Sequence, residues 1–174
     1  LLESRGPVRL LQFAFSSEGL YEAIIERAKA EKKESKGFDF KSVGDTPFAL
    51  RDWSVFLALS GYELKVNKDD TKTYVESKDN PLRAALGKDL YEAVLKNIRT
   101  APRIYREKHV KDAAGKDAKV NAKLHHKVLV SGDMVIAGTS FNFSENANSN
   151  NEQFLLFHDP DLAAWMTGVF DGLY

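Results

Sequence analysis

Cysteine is absent from all 174 residues. That excludes disulfides, thiolate catalysis and cysteine-ligated zinc, and it leaves the redox compartment open. Net charge is also missing. Lys and Arg number 25 and Asp and Glu number 25, so the whole-chain balance calls for no polyanionic partner. No apolar run approaches the roughly 18 residues of a membrane span. Neither a signal-peptide pattern nor a methionine opens the chain. Its start, LLESRGPVRLL, reads as the interior or processed end of a longer product. An exported compartment is compatible with that reading. What remains is 43% apolar and 29% charged, the composition of one folded domain with a sizeable core. There is no internal repeat, and only Asn146–Asn151 is compositionally biased.

The order of elements points to an α/β fold. The apolar run Val8–Phe15 lies between Gly6-Pro7 and Ser16-Ser17, which predicts a buried strand. Ser17 is placed to cap a helix over Glu18–Lys33, with Leu20, Ile24, Ile25 and Ala28 as its apolar stripe. A strand is expected at Phe38–Val43, a helix at Thr46–Leu59 and a strand at Tyr62–Val66. Strands alternating with helices favour parallel neighbours. The polar stretch after Val66 reads as a loop with a short strand near Thr73–Val75. A third helix follows, from Pro81 to about Ile98, with Pro102 as its stop. Arg103–Val110 allows a strand, and Lys111–Lys123 reads as a mobile charged loop. A hairpin is expected from Leu124–Val130 and Met134–Ala137 around Ser131-Gly132-Asp133. A buried strand at Glu152–His158 and a helix after Asp159-Pro160 close the chain. Trp53 and Trp165 fall on apolar helical stripes and are expected in the core.

The segment Leu124–Glu152 concentrates the chemistry. His125 and Lys127 are two apart, so in a strand they share a face, while His126 joins Val128 and Val130 on the other. His126 is therefore expected to be a satisfied core histidine, and His158 to be structural. An imidazole near its neutral form beside a fixed cation suits attack on a phosphodiester. Ser140, Asn142 and Glu152 return toward it through the hairpin. A zinc site from His109, His125 and His126 is disfavoured, because adjacent strand residues point apart. From Arg103 through Arg106, Lys108, Lys111, Lys116, Lys119 and Lys123 to Lys127 the chain is basic, offset only by Glu107, Asp112 and Asp117. Most such runs are solvated faces, yet this one leads into the candidate strand and would attract a polyanion backbone. Tyr105 offers one stacking surface within it.

These residues resemble the phospholipase D superfamily motif, His-x-Lys followed by Gly-Ser-x-Asn and a later Asn-x-Glu. They stand here as His125-His126-Lys127, then Gly138-Thr139-Ser140-Phe141-Asn142-Phe143, then Asn150-Asn151-Glu152. The Ser-Phe-Asn-Phe run is most similar to the single-motif bacterial endonuclease branch. The resemblance takes in residues 1–174 as one lobe, with one catalytic motif in 124–152 and a variable insertion over about 67–121. Gly132 stands at the family's aspartate position, with Asp133 one place later. The glycine before the family serine corresponds to Thr139, or to Gly138 after a slip of one.

The resemblance implies a mixed, mostly parallel sheet with helices on both faces. It also implies a phosphodiesterase acting through a phosphohistidine on His125, without metal or other cofactor. Lys127 and Asn142 would hold phosphate oxygens, and Ser140, Lys123 and Asn150 would assist in binding. Glu152 would orient the His125 ring. Nucleic acid is the expected substrate ahead of phospholipid; a lobe that binds nucleic acid without catalysis is the further alternative. The second histidine is expected from another lobe, supplied by a homodimer or by the rest of a longer parent chain.

Overall fold

The computed structural model describes residues 1, 3–101, 108–111, 113–120 and 123–173. The stop at Pro102, the basic positions Arg103 and Arg106, and Tyr105 lie outside them. Six strands form the main sheet: β1 (Val8–Gln12), β2 (Phe40–Gly44), β5 (Ile98–Thr100), β8 (Lys127–Ser131), β9 (Met134–Gly138) and β10 (Phe154–His158). Their spatial order is β10-β9-β8-β1-β2-β5. β1, β2 and β5 are parallel, and β8, β9 and β10 run antiparallel beside them. The sheet is therefore mixed as expected, but its parallel part is confined to one half. A two-residue turn joins β8 to β9, and so short a link can only reverse the chain.

Alternation along β1 creates the two covered faces. Val8 and Leu10 point into a core with Ile24 and Ala28 of α1 (Glu18–Lys33), Leu82 and Leu86 of α4 (Pro81–Leu86), and Leu129 of β8. Leu11 points the other way, with Val43 and Phe170 of α6 (Pro160–Leu173). α1 begins where Ser17 Oγ accepts from Leu20 N–H at 3.3 Å, a cap that contributes about 1 kcal/mol. On the α6 face the buried guanidinium of Arg9 donates to Asp39 at 2.8 Å and Asp171 at 3.0 Å, tying β1 to both a loop and the last helix.

Several expected elements are corrected. The second helix is two short ones, α2 (Thr46–Ala49) and α3 (Val55–Leu59), separated by a turn that carries Trp53. The third is broken by Gly87, which has φ +76°, into α4 and α5 (Lys88–Leu95). β3 (Tyr62–Val66) does not enter the main sheet but pairs only with β4 (Lys72–Glu76). Its alternating sequence suits a two-stranded ribbon as well as a sheet edge, and only long-range pairing decides between them. Part of the expected mobile loop is β7 (Asp117–Val120), paired with β6 (Lys108–Lys111). β10 is an exposed edge strand rather than a buried one, with Phe154, Leu155 and Leu156 each half exposed or more. Trp53 and Trp165 are 47% and 64% exposed rather than core.

Candidate active site

The site lies where the C-terminal ends of β1 and β2 meet the start of β8, since Gln12 pairs with both Gly44 and Lys127. Ligands of open α/β sheets bind at such strand ends. The chain enters β8 under a fixed constraint. Asp45, buried at the end of β2, accepts from Leu124 N–H at 2.9 Å. His125 follows at once, before the strand begins rather than inside it.

Lys127 is the first residue of β8 and is only 4% exposed. Its ammonium donates to the His125 carbonyl at 3.2 Å and stands 3.1 Å from His125 Nδ1. The two side chains thus share one side, as their spacing predicts. His126 is exposed, not buried: it precedes the strand, and no sheet face covers it. The His125 ring packs on Phe13, with centroids 4.4 Å apart. Partial burial and the Lys127 and Lys123 charges hold its pKa below the ordinary 6.5, against a smaller opposing pull from Asp45. The ammonium is 3.4 Å from Nε2 as well, so it lies over the ring, and burial beside two cations favours the neutral imidazole. Burial also lowers the Lys127 pKa, and Glu152 counteracts this. Lys123 Nζ lies 5.7 Å from the ring centroids of both Phe13 and Phe48, within cation–π range.

The loop after β9 brings the amides and the carboxylate. Gly138 ends β9, and a Cβ there would collide with the Phe141 carbonyl oxygen and lie 3.1 Å from Lys127 Cβ. The loop can fold back over Lys127 only because position 138 is glycine. Gly138, not Thr139, therefore occupies the tight approach. Phe143 carbonyl then accepts from Ser16 N–H and Ser17 N–H at 2.9 and 3.1 Å, anchoring the loop beside the end of β1. Ser140 Oγ accepts from Gln153 N–H at 3.1 Å, so its hydroxyl braces the loop to the start of β10. Asn142 Oδ1 is buried without a hydrogen-bond partner. Asn150 donates to Glu152 Oε1 at 3.3 Å.

A cleft of about 700 Å³ beside this loop is lined by Asn142, Asn150 and Glu152, together with Trp53. His125, Lys123 and Lys127 are grouped around Phe13, whereas Glu152 reaches Lys127 only through its charge and makes no hydrogen bond to His125 within the chain. Phe13, Phe48 and Asp45 were not singled out from the sequence, and Trp53 was expected in the core. Phe13 reads as one more apolar residue of a strand, and Asp45 as a helix-capping residue.

The expectation of a single His-x-Lys is also corrected. His109-Val110-Lys111 has the same spacing. It lies on β6, in the separate β6–β7 ribbon, and Leu124 and His126 stand where a Ser-x-Asn at the same spacing would fall. The side chains of Lys108, His109 and Lys119 lie outside the described residues. Among those described, no group of three His, Asp or Glu is arranged to hold a metal ion.

Gly132 is explained by the turn. It has φ +60° and is the first of two residues between the paired Ser131 and Met134, the glycine position of a type II′ hairpin. A side chain there would also strike the Arg5 carbonyl. The turn is at the opposite end of β8 from Lys127, roughly 16 Å away at strand rise. Asp133 lies there too, 3.8 Å from the exposed His158.

Among solved structures the chain is similar to NucT from Helicobacter pylori. The TM-score is 0.57 at 16% identity, over 99% of this chain and 80% of that one. The fold is phospholipase D-like. A weaker likeness, TM-score 0.46 at 15% identity over 98% and 79% of the two chains, is to Nuc from Salmonella typhimurium, a phospholipase D family member. No family model and no curated protein sequence matches the chain. No helix among the described residues is long and apolar enough to cross a membrane.

Proposed function

We propose that the chain is a phosphodiesterase of phospholipase D type acting on nucleic acid. The carrying observation is the pair His125–Lys127: a neutral imidazole held against a buried ammonium at the strand ends of a phospholipase D-like sheet. A ring nitrogen of His125 attacks phosphorus, and the bond to the leaving oxygen breaks as a second, protonated histidine gives it a proton. Water then attacks the phosphohistidine, breaking P–N and releasing a phosphomonoester. Two easier steps replace one hard one. Lys127 and Asn142 hold the non-bridging oxygens, where charge builds. Lys123 stands with Lys127 over the Phe13 ring and favours a polyanionic substrate.

The second histidine is assigned to a second copy of the chain. Two features support this. Glu152 makes no hydrogen bond to His125 of its own chain, leaving it for a facing ring. The edge strand β10 starts two residues after Glu152 and exposes Phe154, Leu155 and Leu156, while α6 exposes Trp165 and Val169. A C2 contact is self-complementary, so one patch serves both copies.

The test is hydrolysis of DNA, RNA and phosphatidylcholine by the wild-type chain, His125→Ala and His109→Ala, each with a chelator. Nucleic-acid cleavage that survives the chelator and His109→Ala but not His125→Ala is expected. Turnover of lipid alone, or an active His125→Ala, refutes the reading. Mass in solution should give a dimer, and Leu156→Glu should yield inactive monomer.

A further inference from the structure

The cleft beside the candidate site is chemically unlike the phosphate site. Lys123 and Lys127 both stand over the Phe13 ring. Among the described residues, no cation lines the cleft. Instead it presents Trp53, the amides of Asn142, Asn146 and Asn150, and two carboxylates, Glu18 and Glu152. Amides and two carboxylates cannot hold a phosphate in preference to the neighbouring lysines. They suit a neutral group that both donates and accepts hydrogen bonds. Asn142 lines the cleft with a half-buried side chain, and its Oδ1 is itself buried without a partner.

Trp53 supplies the other half of the recognition. It sits on the turn between α2 and α3, half exposed, with its ring edge fixed against Phe48 at 6.2 Å between centroids. Phe48 packs on Phe13 at 4.2 Å, and Phe13 on His125 at 4.4 Å. Three ring-to-ring steps thus connect the cleft to the candidate nucleophile. Bases taken out of a helix are recognised by an aromatic face and side-chain amides on the base edge. A quaternary ammonium head group would also favour an aromatic and acidic cleft, but it has neither donor nor acceptor for the amides that line it.

We propose that Trp53 and the asparagines of this cleft form a nucleobase pocket, so that the strand cut at His125 is unpaired next to the scissile phosphate. The proposal rests on the phosphodiesterase reading above and names its substrate class. One base stacks on the indole, its edge meets Asn146 and Asn150, and its phosphate reaches Asn142, Lys127 and His125.

The test separates the pocket from the chemistry. In a Trp165→Phe background Trp53 is the single indole, because the sequence holds two tryptophans. A single-stranded oligothymidylate should quench it. An abasic oligomer of equal length and charge should not, and should bind roughly five-fold to a hundred-fold more weakly. Trp53→Ala should raise KM on the oligothymidylate by a similar factor and change KM on the abasic oligomer far less; Trp53→Phe should recover most of the loss. Equal binding of the two oligomers, an unchanged KM in Trp53→Ala, or quenching by phosphocholine alone overturns the pocket. If the chain turns over no diester, the phosphodiesterase reading fails, while the quenching comparison still decides the pocket.

Discussion

Gly138→Ala adds one methyl group at the point where the site loop meets the catalytic strand. The backbone at Gly138 has no positive φ, so the effect is steric alone. The new Cβ would overlap the Phe141 carbonyl oxygen and press on Lys127, 3.1 Å from its Cβ and 3.3 Å from its carbonyl. An ordinary carbon–oxygen contact is roughly 3.3–3.6 Å, so the loop must withdraw by about 1 Å. Overpacking of this kind costs about 1–3 kcal/mol. A displacement of about 1 Å in a positioning loop costs on the order of 100-fold in turnover. Gly168→Ala provides the contrast. It lies in α6 with nothing within 4 Å of a Cβ, and should gain about 0.5–1 kcal/mol. Urea unfolding combined with cleavage of a single-stranded oligonucleotide measures both terms. A Gly138→Ala chain as stable and as active as wild type would show that the loop does not abut Lys127, and the account of Asn142 placement would fall with it.

Three further outcomes follow from the same geometry. Lys127→Met should lower turnover by about 10²–10³-fold yet leave urea stability unchanged or higher, because burial opposes the charged ammonium; a loss above about 2 kcal/mol would contradict this. The His125 pKa is held below 6.5 by burial, then Lys127 and Lys123, so the acid limb of kcat/KM should lie below pH 6.5 and move up toward it in Lys123→Met. The unfolded chain binds this proton more readily than the folded one. His125 therefore makes stability fall as pH drops through 6.5 toward the folded pKa, and pH-dependent unfolding of His125→Ala against wild type isolates that slope. Gly132→Asp, which restores the family aspartate, should cost roughly 2–4 kcal/mol through positive φ and the Arg5 collision; purified folded protein should retain its turnover, since the turn is remote from Lys127.

Elements made by local pattern were legible before the fold was seen. α1 runs over Glu18–Lys33 as its stripe and Ser17 cap predict, and Gly132-Asp133 makes the expected turn. Errors arose where the periodic signal was correct but its partner was not encoded locally. Tyr62–Val66 is a strand, yet it pairs with β4 instead of the parallel sheet. Phe154–His158 is apolar enough for a core strand, yet it ends the sheet and stays exposed. Trp53 sits in a pattern that reads as one helix, and the break at the α2–α3 turn moved it to the cleft.

The sequence by itself determined which groups are available for chemistry: a histidine and lysine at strand spacing that are followed by an ordered Ser-x-Asn and a later Glu. Spacing within a strand and turn is local, so those residues could be named from the chain alone. Tertiary structure decided which of them meet. It buried Lys127 against His125, left Glu152 hydrogen-bonded to Asn150, and placed Phe13 under the imidazole. It also separated a cationic site from an aromatic, amide-lined cleft. These are contacts between β1, the α2–α3 turn, β8 and the β9–β10 loop. They arise from long-range packing and from the Gly138 close approach, neither of which a hydrophobic period along one segment can encode.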